Sequence, residues 1–180
     1  TDFFVCYFAV SYNPKSLEFV DFNIVGDTNS GMINEICHVA LFKDPLTIRF
    51  IDKNLNFASK WYENERISKL LCKKNGLFLQ YLSLELRENI ELCLIAVHNN
   101  GLALQYCSNV TNGLIVLQAV VQNGLALEFA NNIYDWNANK MIVEYAFKNN
   151  YSSLQFAHEI LLTDKIFIKK LVYWHPVAIL

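Results

Sequence analysis

The sequence predicts an all-α protein built of tandem helical hairpins of about 25 residues, stacked as an α-solenoid-like array. Three observations point there. One short phrase comes back seven times. Apolar residues recur at four-residue spacing before each copy and at three- and four-residue spacing after it. Apolar residues make up 53% of the 180-residue chain and charged residues 18%, rich enough to build a core. The clearest copies are Asn100-Gly-Leu-Ala-Leu-Gln-Tyr106 and Asn123-Gly-Leu-Ala-Leu-Glu-Phe129, with Asn75-Gly-Leu-Phe-Leu-Gln-Tyr81 close behind. Asn150-Tyr-Ser-Ser-Leu-Gln-Phe156 is looser. Asn13-Pro-Lys-Ser-Leu-Glu-Phe19 and Asp44-Pro-Leu-Thr-Ile-Arg-Phe50 carry proline second, as does His175-Pro-Val-Ala-Ile-Leu180.

The residue that opens each phrase is position zero: Asn13, Asp44, Asn75, Asn100, Asn123, Asn150 and His175. The spacings are 31, 31, 25, 23, 27 and 25 residues, within the range of stacked repeats. Each unit opens with a helix A. Its minus-eight position is apolar (Val5, Ile36, Ile67, Leu92, Ile115, Ile142, Phe167), and minus four is small or apolar (Ala9, Ala40, Leu71, Ala96, Ala119, Ala146, Leu171). Four-residue spacing puts both on one helix face. At position zero, Asn-Gly reads as a tight helix stop, since both residues tolerate left-handed backbone. Asn-Pro and Asp-Pro read as an N-cap followed by a first helical residue. Either version ends one helix and starts the next.

Helix B follows. Its plus-four position is always Leu or Ile, and plus seven is apolar in every complete copy. Plus six is aromatic (Phe19, Phe50, Tyr81, Tyr106, Phe129, Phe156) and is read as core. Plus five is polar (Glu18, Arg49, Gln80, Gln105, Glu128, Gln155) and is read as a solvent-facing ladder. The first two units are longer. Gly26 to Gly31 is a loop by composition, and helix B of the second unit is expected to run on towards Trp61. Residues 1–180 are thus expected to form one helical-repeat domain, a fragment of a longer protein. A lone hairpin cannot bury both stripes, and stacking does so.

The net charge is −2 and the pI about 6.1, which gives no support to nucleic-acid binding. No run approaches the roughly 18 apolar residues of a membrane span. The five cysteines include no Cys-x-x-Cys pair. Cys6, Cys37 and Cys93 all stand seven residues before position zero, and a repeat-locked position is read as packing, with thiols reduced as in the cytosol. Cys72, beside Lys73 and Lys74, sits in register with Val10, Leu41, Val97 and Val120 and is read the same way. Two glycosylation sequons, at Asn109 and Asn150, are expected by chance in an Asn-rich chain.

Motifs for chemistry are missing from the sequence. His38, His98, His158 and His175 have no metal-ligand spacing, and there is no phosphate-binding glycine loop or nucleophile elbow. The expectation is therefore no enzyme, no cofactor, no metal and no catalytic residue. The aromatics that break the repeat are Trp61 and Tyr62, between the second and third units, and Tyr134 and Trp136, between the fifth and sixth. Trp and Tyr are enriched in binding hot spots, so these four are the candidate partner-binding residues. Their other reading is as plugs at the turns between hairpins. The terminal segments Phe3 to Val10 and Ile166 to Trp174 lack the polar outer face of a capping repeat. Both ends are expected to be covered, by further sequence or by self-association through these uncapped helices.

The phrase, with helix A ending as in Ile95-Ala-Val-His-Asn-Asn-Gly101 and Leu117-Gln-Ala-Val-Val-Gln-Asn-Gly124, resembles the tandem helical repeats known as domain of unknown function 4116. The resemblance is closest from Ile90 to Ala157 and recognisable from Ile67. It implies repeats of a large protein, often an effector that intracellular bacteria secrete into host cells, and it supplies no catalytic residue. A fainter likeness to the ankyrin signature at Gly124 to Ala130 is set aside, because the later spacings leave no room for ankyrin's β-turn extension. The function expected is a non-enzymatic protein-interaction or scaffold module with a protein partner. The rival is a substrate-recruiting region of an effector enzyme whose catalytic domain lies elsewhere. An RNA-reading repeat would need a basic groove and regular units.

Overall fold

Position zero organises the backbone. In the computed structural model, which describes residues 3–22, 30–51, 61, 63–108, 112–130 and 134–174, the Asn100 N–H donates to the Ala96 carbonyl at 2.9 Å and closes the helix before it. The Asn100 side chain then accepts from the Leu102 N–H at 3.0 Å and opens the helix after it. One residue therefore serves as C-cap and N-cap at once. The same side-chain cap occurs at Asn13, Asp44, Asn75, Asn123 and Asn150.

The regular structure of the described residues is entirely helical, as expected. The helices preceding the phrases are α1 (Phe3–Tyr12), α2 (Ser30–Lys43), α3 (Glu65–Lys74), α5 (Ile90–Asn99), α6 (Gly113–Gln122), α7 (Lys140–Asn149) and α9 (Lys165–Trp174). Two short helices, α4 (Leu84–Glu88) and α8 (Glu159–Thr163), connect neighbouring units.

The second helix of each of the first six repeats differs from the expected α-helix. It is a short 3-10 helix: η1 (Pro14–Phe19), η2 (Pro45–Phe50), η3 (Gly76–Tyr81), η4 (Gly101–Tyr106), η5 (Gly124–Ala130) and η7 (Tyr151–Phe156). Its i→i+3 bonds run from Ala103 N–H to Asn100 and from Cys107 N–H to Leu104. With three residues per turn, plus one, plus four and plus seven line up on one face. That face is core: Gly101, Leu104 and Cys107 are buried, as are Gly76, Leu79 and Leu82. Each buried Leu or Ile at plus four contributes roughly 1.5–3 kcal/mol relative to exposure. In the second unit, η2 stops at Phe50, where Ile51 is extended, rather than running on towards Trp61.

Asn-Gly is also not the left-handed stop the sequence suggested. Asn75, Asn100 and Asn150 all sit near φ −150°, in extended backbone, and no described glycine has positive φ. Glycine is needed for closeness instead. A Cβ added at Gly76, Gly101 or Gly124 would collide with the carbonyl oxygen of Ala96, Ala119 or Ala146, four residues before the next position zero.

The chain divides into two compact units, Thr1–Lys74 and Asn75–Leu180. In the first, α1 packs on α2, and η1 packs on α1, α2 and η2, while α3 packs on η2. In the second, α5, α6 and α7 pack side by side in chain order, and η3, η4, η5 and η7 do likewise. Further, η3 packs on α5, η4 on α6 and η5 on α7.

Two positions depart from the expected core. Minus eight and minus four are buried in α2, α5, α6, α7 and α9, but in α1 Val5 is 63% exposed and Ala9 is exposed too. The plus-six aromatics are not core: Phe19 is 84% exposed and Tyr81 39%, and Phe50, Tyr106, Phe129 and Phe156 are half-buried. Three residues per turn leave plus six beside the buried face rather than on it. The expected loop from Gly26 lies mostly outside the described residues, and Ser30 and Gly31 already belong to α2.

Candidate interaction surface

The geometry that fastens one phrase to the next element rests on a side chain at minus one. The Gly124 N–H donates to Asn149 Oδ1 at 2.7 Å, and Asn149 Nδ2 donates to the Val121 carbonyl at 2.9 Å. The Gly101 N–H donates to Gln122 Oε1, and Gln122 Nε2 donates to the Asn99 carbonyl at 3.3 Å. The Gly76 N–H donates to Asn99 Oδ1 at 2.8 Å. One primary amide thus satisfies a buried glycine N–H and, at Gln122 and Asn149, a helix-end carbonyl as well, groups that are costly to leave unpaired. Proline phrases have no such N–H to satisfy. The minus-one residue after Asn13-Pro14 is Lys43, whose ammonium donates to the Ser11 carbonyl, and after Asp44-Pro45 it is Lys74.

With one face of each 3-10 helix packed inward, and the first N–H of η3, η4 and η5 held by an amide, the opposite edge is held at the surface. All six plus-five side chains are exposed: Glu18 and Arg49 in the first unit, and Gln80, Gln105, Glu128 and Gln155 in the second. The plus-six aromatics stand beside them. The Arg49 guanidinium lies over the Phe50 ring at 4.7 Å. In each unit, then, the 3-10 helices present a row of paired polar and aromatic side chains. Sequence reasoning found the polar half of this row and assigned the aromatic half to the core.

The four candidate partner-binding residues are placed differently from one another. Trp61 is only 5% exposed, with its ring 6.3 Å from that of His38. Tyr62 lies outside the described residues. Trp136, in the short 3-10 helix η6 (Trp136–Ala138), is half-buried over Gly113, where an added Cβ would lie 2.7 Å from the indole ring. Tyr134 is 56% exposed, its ring 6.2 Å from Trp136. Asp135 between them has φ 45°, the one positive φ among described non-glycine residues. Of the three that the structure describes, Tyr134 is the side chain presented to solvent.

Among the described residues, no three His, Cys, Asp or Glu side chains could hold a metal ion. All five cysteines, Cys72 included, are buried and in no disulfide, in keeping with the packing expectation. Burial pushes the Cys37 thiol up to about 12. The Cys93 thiol is lowered by a hydrogen bond from Cys107, against the opposing effect of burial. His158 caps α8, accepting from the Ile160 N–H, and His98 Nδ1 meets Gln118 Nε2 at 3.2 Å. A depression on α3 is lined by Glu65, Arg66, Lys69, Leu70 and Lys73, all from that one helix. No helix among the described residues is long and apolar enough to cross a membrane.

Residues 64–110, from the start of α3 past the end of η4, match the family model described as Domain of unknown function (DUF4116). No curated protein and no solved structure matches the chain significantly.

Proposed function

We propose that the chain is a non-enzymatic protein-interaction or scaffold module, a solenoid-like array of helical repeats within a bacterial effector that is secreted into a host cell and acts in its reducing cytosol. One observation carries the binding reading. An exposed polar residue beside a partly exposed aromatic returns on η1, η2, η3, η4, η5 and η7, the 3-10 helices that carry the phrase. Repeat proteins bind along such extended surfaces, and aromatics set beside polar groups supply contact area at low entropic cost. The successive packing of α5, α6 and α7, and of η3, η4, η5 and η7, supports the array. The effector setting rests on the resemblance of the phrase to repeats of secreted bacterial proteins.

The test is site-specific photo-crosslinking in host-cell lysate, with the reactive group at Gln105 or Glu128 and, as a control, at Glu91 on α5. The expected result is a discrete partner crosslinked from the plus-five positions and not from the control. With the reactive group at Gln105, its capture should fall about tenfold or more in the Gln80→Ala, Glu128→Ala, Gln155→Ala triple variant. Capture unchanged in a triple variant that melts normally would overturn the reading.

A further inference from the structure

Asn-Gly-Leu occurs four times in the chain, from Asn75, Asn100, Asn112 and Asn123. Asn-Gly is prone to lose its side-chain amide, because the glycine nitrogen can close a five-membered ring on the asparagine Cγ with no Cβ to crowd it. By sequence the four sites are equivalent. In the structure all four asparagines are half-buried, and each Oδ1 accepts from the N–H two residues on, at 2.9–3.1 Å. Each carbonyl also accepts from the N–H three residues on.

The sites differ at the glycine nitrogen, the atom that must give up its proton and attack. Gly76, Gly101 and Gly124 are buried, and their N–H groups donate to Asn99, Gln122 and Asn149. A carbonyl of the next unit crowds each of them, so the backbone has no room to turn towards the ring geometry. Gly113 is the first residue of α6 and only half-buried, and no described residue accepts from its N–H. The first N–H of a helix has no partner within the helix. Base and water therefore reach the Gly113 nitrogen, while the clasp shields the other three.

We propose that Asn112 is a modification site, where the folded chain loses ammonia to become aspartyl or isoaspartyl while the three phrase asparagines keep their amides. The Gly113 nitrogen yields its proton to hydroxide and bonds to Asn112 Cγ. The Cγ–Nδ2 bond breaks, ammonia leaves, and a succinimide remains. Water adds to either ring carbonyl, and ring opening leaves one new carboxylate. Opened one way, the product is aspartate, which still caps α6 and is favoured by the helix N-terminus. Opened the other way, it is isoaspartate, whose main chain gains a methylene just before Gly113. Gly113 lies beneath the Trp136 ring, so isoaspartate disturbs that fit. The site is separate from the plus-five row, and its chemistry does not depend on the partner proposed there.

The test is to incubate the full chain at neutral and at mildly alkaline pH and map its peptides by mass spectrometry, with chromatography resolving aspartyl from isoaspartyl forms. Asn112 should convert at least about tenfold faster than Asn75, Asn100 and Asn123, whose reaction must wait for local opening of the backbone. Conversion should speed up at the higher pH. In concentrated urea the four sites, all followed by Gly-Leu, should convert at similar rates. Asn112→Ser keeps a capping oxygen and has no amide to lose, so it should abolish the early acidic form seen on isoelectric focusing. Equal rates at the four sites of the folded chain overturn the proposal, as does an Asn112 that reacts more slowly than the phrase asparagines. So does an Asn112 that keeps its lead in urea, because its reactivity is then not set by the fold.

Discussion

At the scale of single residues, Gly101 and Gly31 are the same amino acid under opposite constraints. A Cβ at Gly101 would run into the Ala119 carbonyl, whereas at Gly31 it would meet nothing within 4 Å. Gly101→Ala is therefore expected to destabilise the fold by about 1–3 kcal/mol through overpacking against backbone that cannot yield. Gly31→Ala, inside α2, should stabilise it by about 0.5–1 kcal/mol through lower chain entropy. Urea midpoints of the two variants should move in opposite directions. The repeat of Gly101 was legible in the sequence, but its reason was not. Asn-Gly usually signals a left-handed turn, and only the partner surface, an alanine carbonyl far along the chain, shows that a missing Cβ is what matters. A signal was present: Ala96, Ala119 and Ala146, together with an amide at minus one, follow each glycine phrase at the spacing of one repeat. Trp61 and Trp136 were equally visible in the sequence, but whether a tryptophan plugs a core or faces solvent depends on neighbours the sequence does not pair with it.

Between elements, the amide of Gln122 holds η4 and the end of α5 to α6 through two hydrogen bonds. Gln122→Leu leaves the Gly101 N–H and the Asn99 carbonyl without these partners, and a loss of about 1–3 kcal/mol is expected in chemical denaturation. Gln122→Glu keeps the acceptor and loses the donor, so it should fall between the two. A second tie is ionic. Glu144 on α7 meets Lys170 of α9 at 2.6 Å and Lys148 of its own helix at 3.0 Å. Hydrogen bonds from Lys170 and then Lys148 hold its carboxyl below the usual 4.5. A carboxylate depressed in the folded state adds stability above its unfolded pKa and loses it as the pH falls through the folded value. Thermal melts should show Glu144→Gln less stable at neutral pH by up to about 1 kcal/mol, a surface pair's worth, and converging with wild type in acid below 4.5. The sequence identified the elements but misjudged one type. Leu at plus four and an apolar plus seven fit either helix, and the decisive clue was the constrained plus-one position, which extends the series by another step of three.

Across the molecule, the division at Lys74 and Asn75 gives each compact unit its own buried set, with Leu17, Ile36 and Ile48 in one and Leu104, Ile115 and Ile142 in the other. Cooperative openings follow such units. In native-state hydrogen exchange, Gly101→Ala should speed exchange across α5, α6 and η4 and leave α1 and α2 at wild-type rates. Uniform acceleration along the whole chain would count against it. The sequence made the repeat organisation readable from end to end because each unit reuses one phrase. It did not mark the boundary between the compact units, because the Asn75-Gly76 pair there is the same one that opens the phrases at Asn100 and Asn123 inside the second unit.

The clasp between successive phrases also has a direction in time. The glycine N–H of one unit is satisfied by a side chain from the next, 21 to 25 residues downstream. On the ribosome, a newly made phrase must therefore wait for its successor before its own backbone is complete, a lag of about 1–5 s at ordinary rates of synthesis. Each repeat is finished by its heir, so assembly proceeds as a relay with a one-unit delay, and a stall in translation leaves the most recent glycine amide open to water.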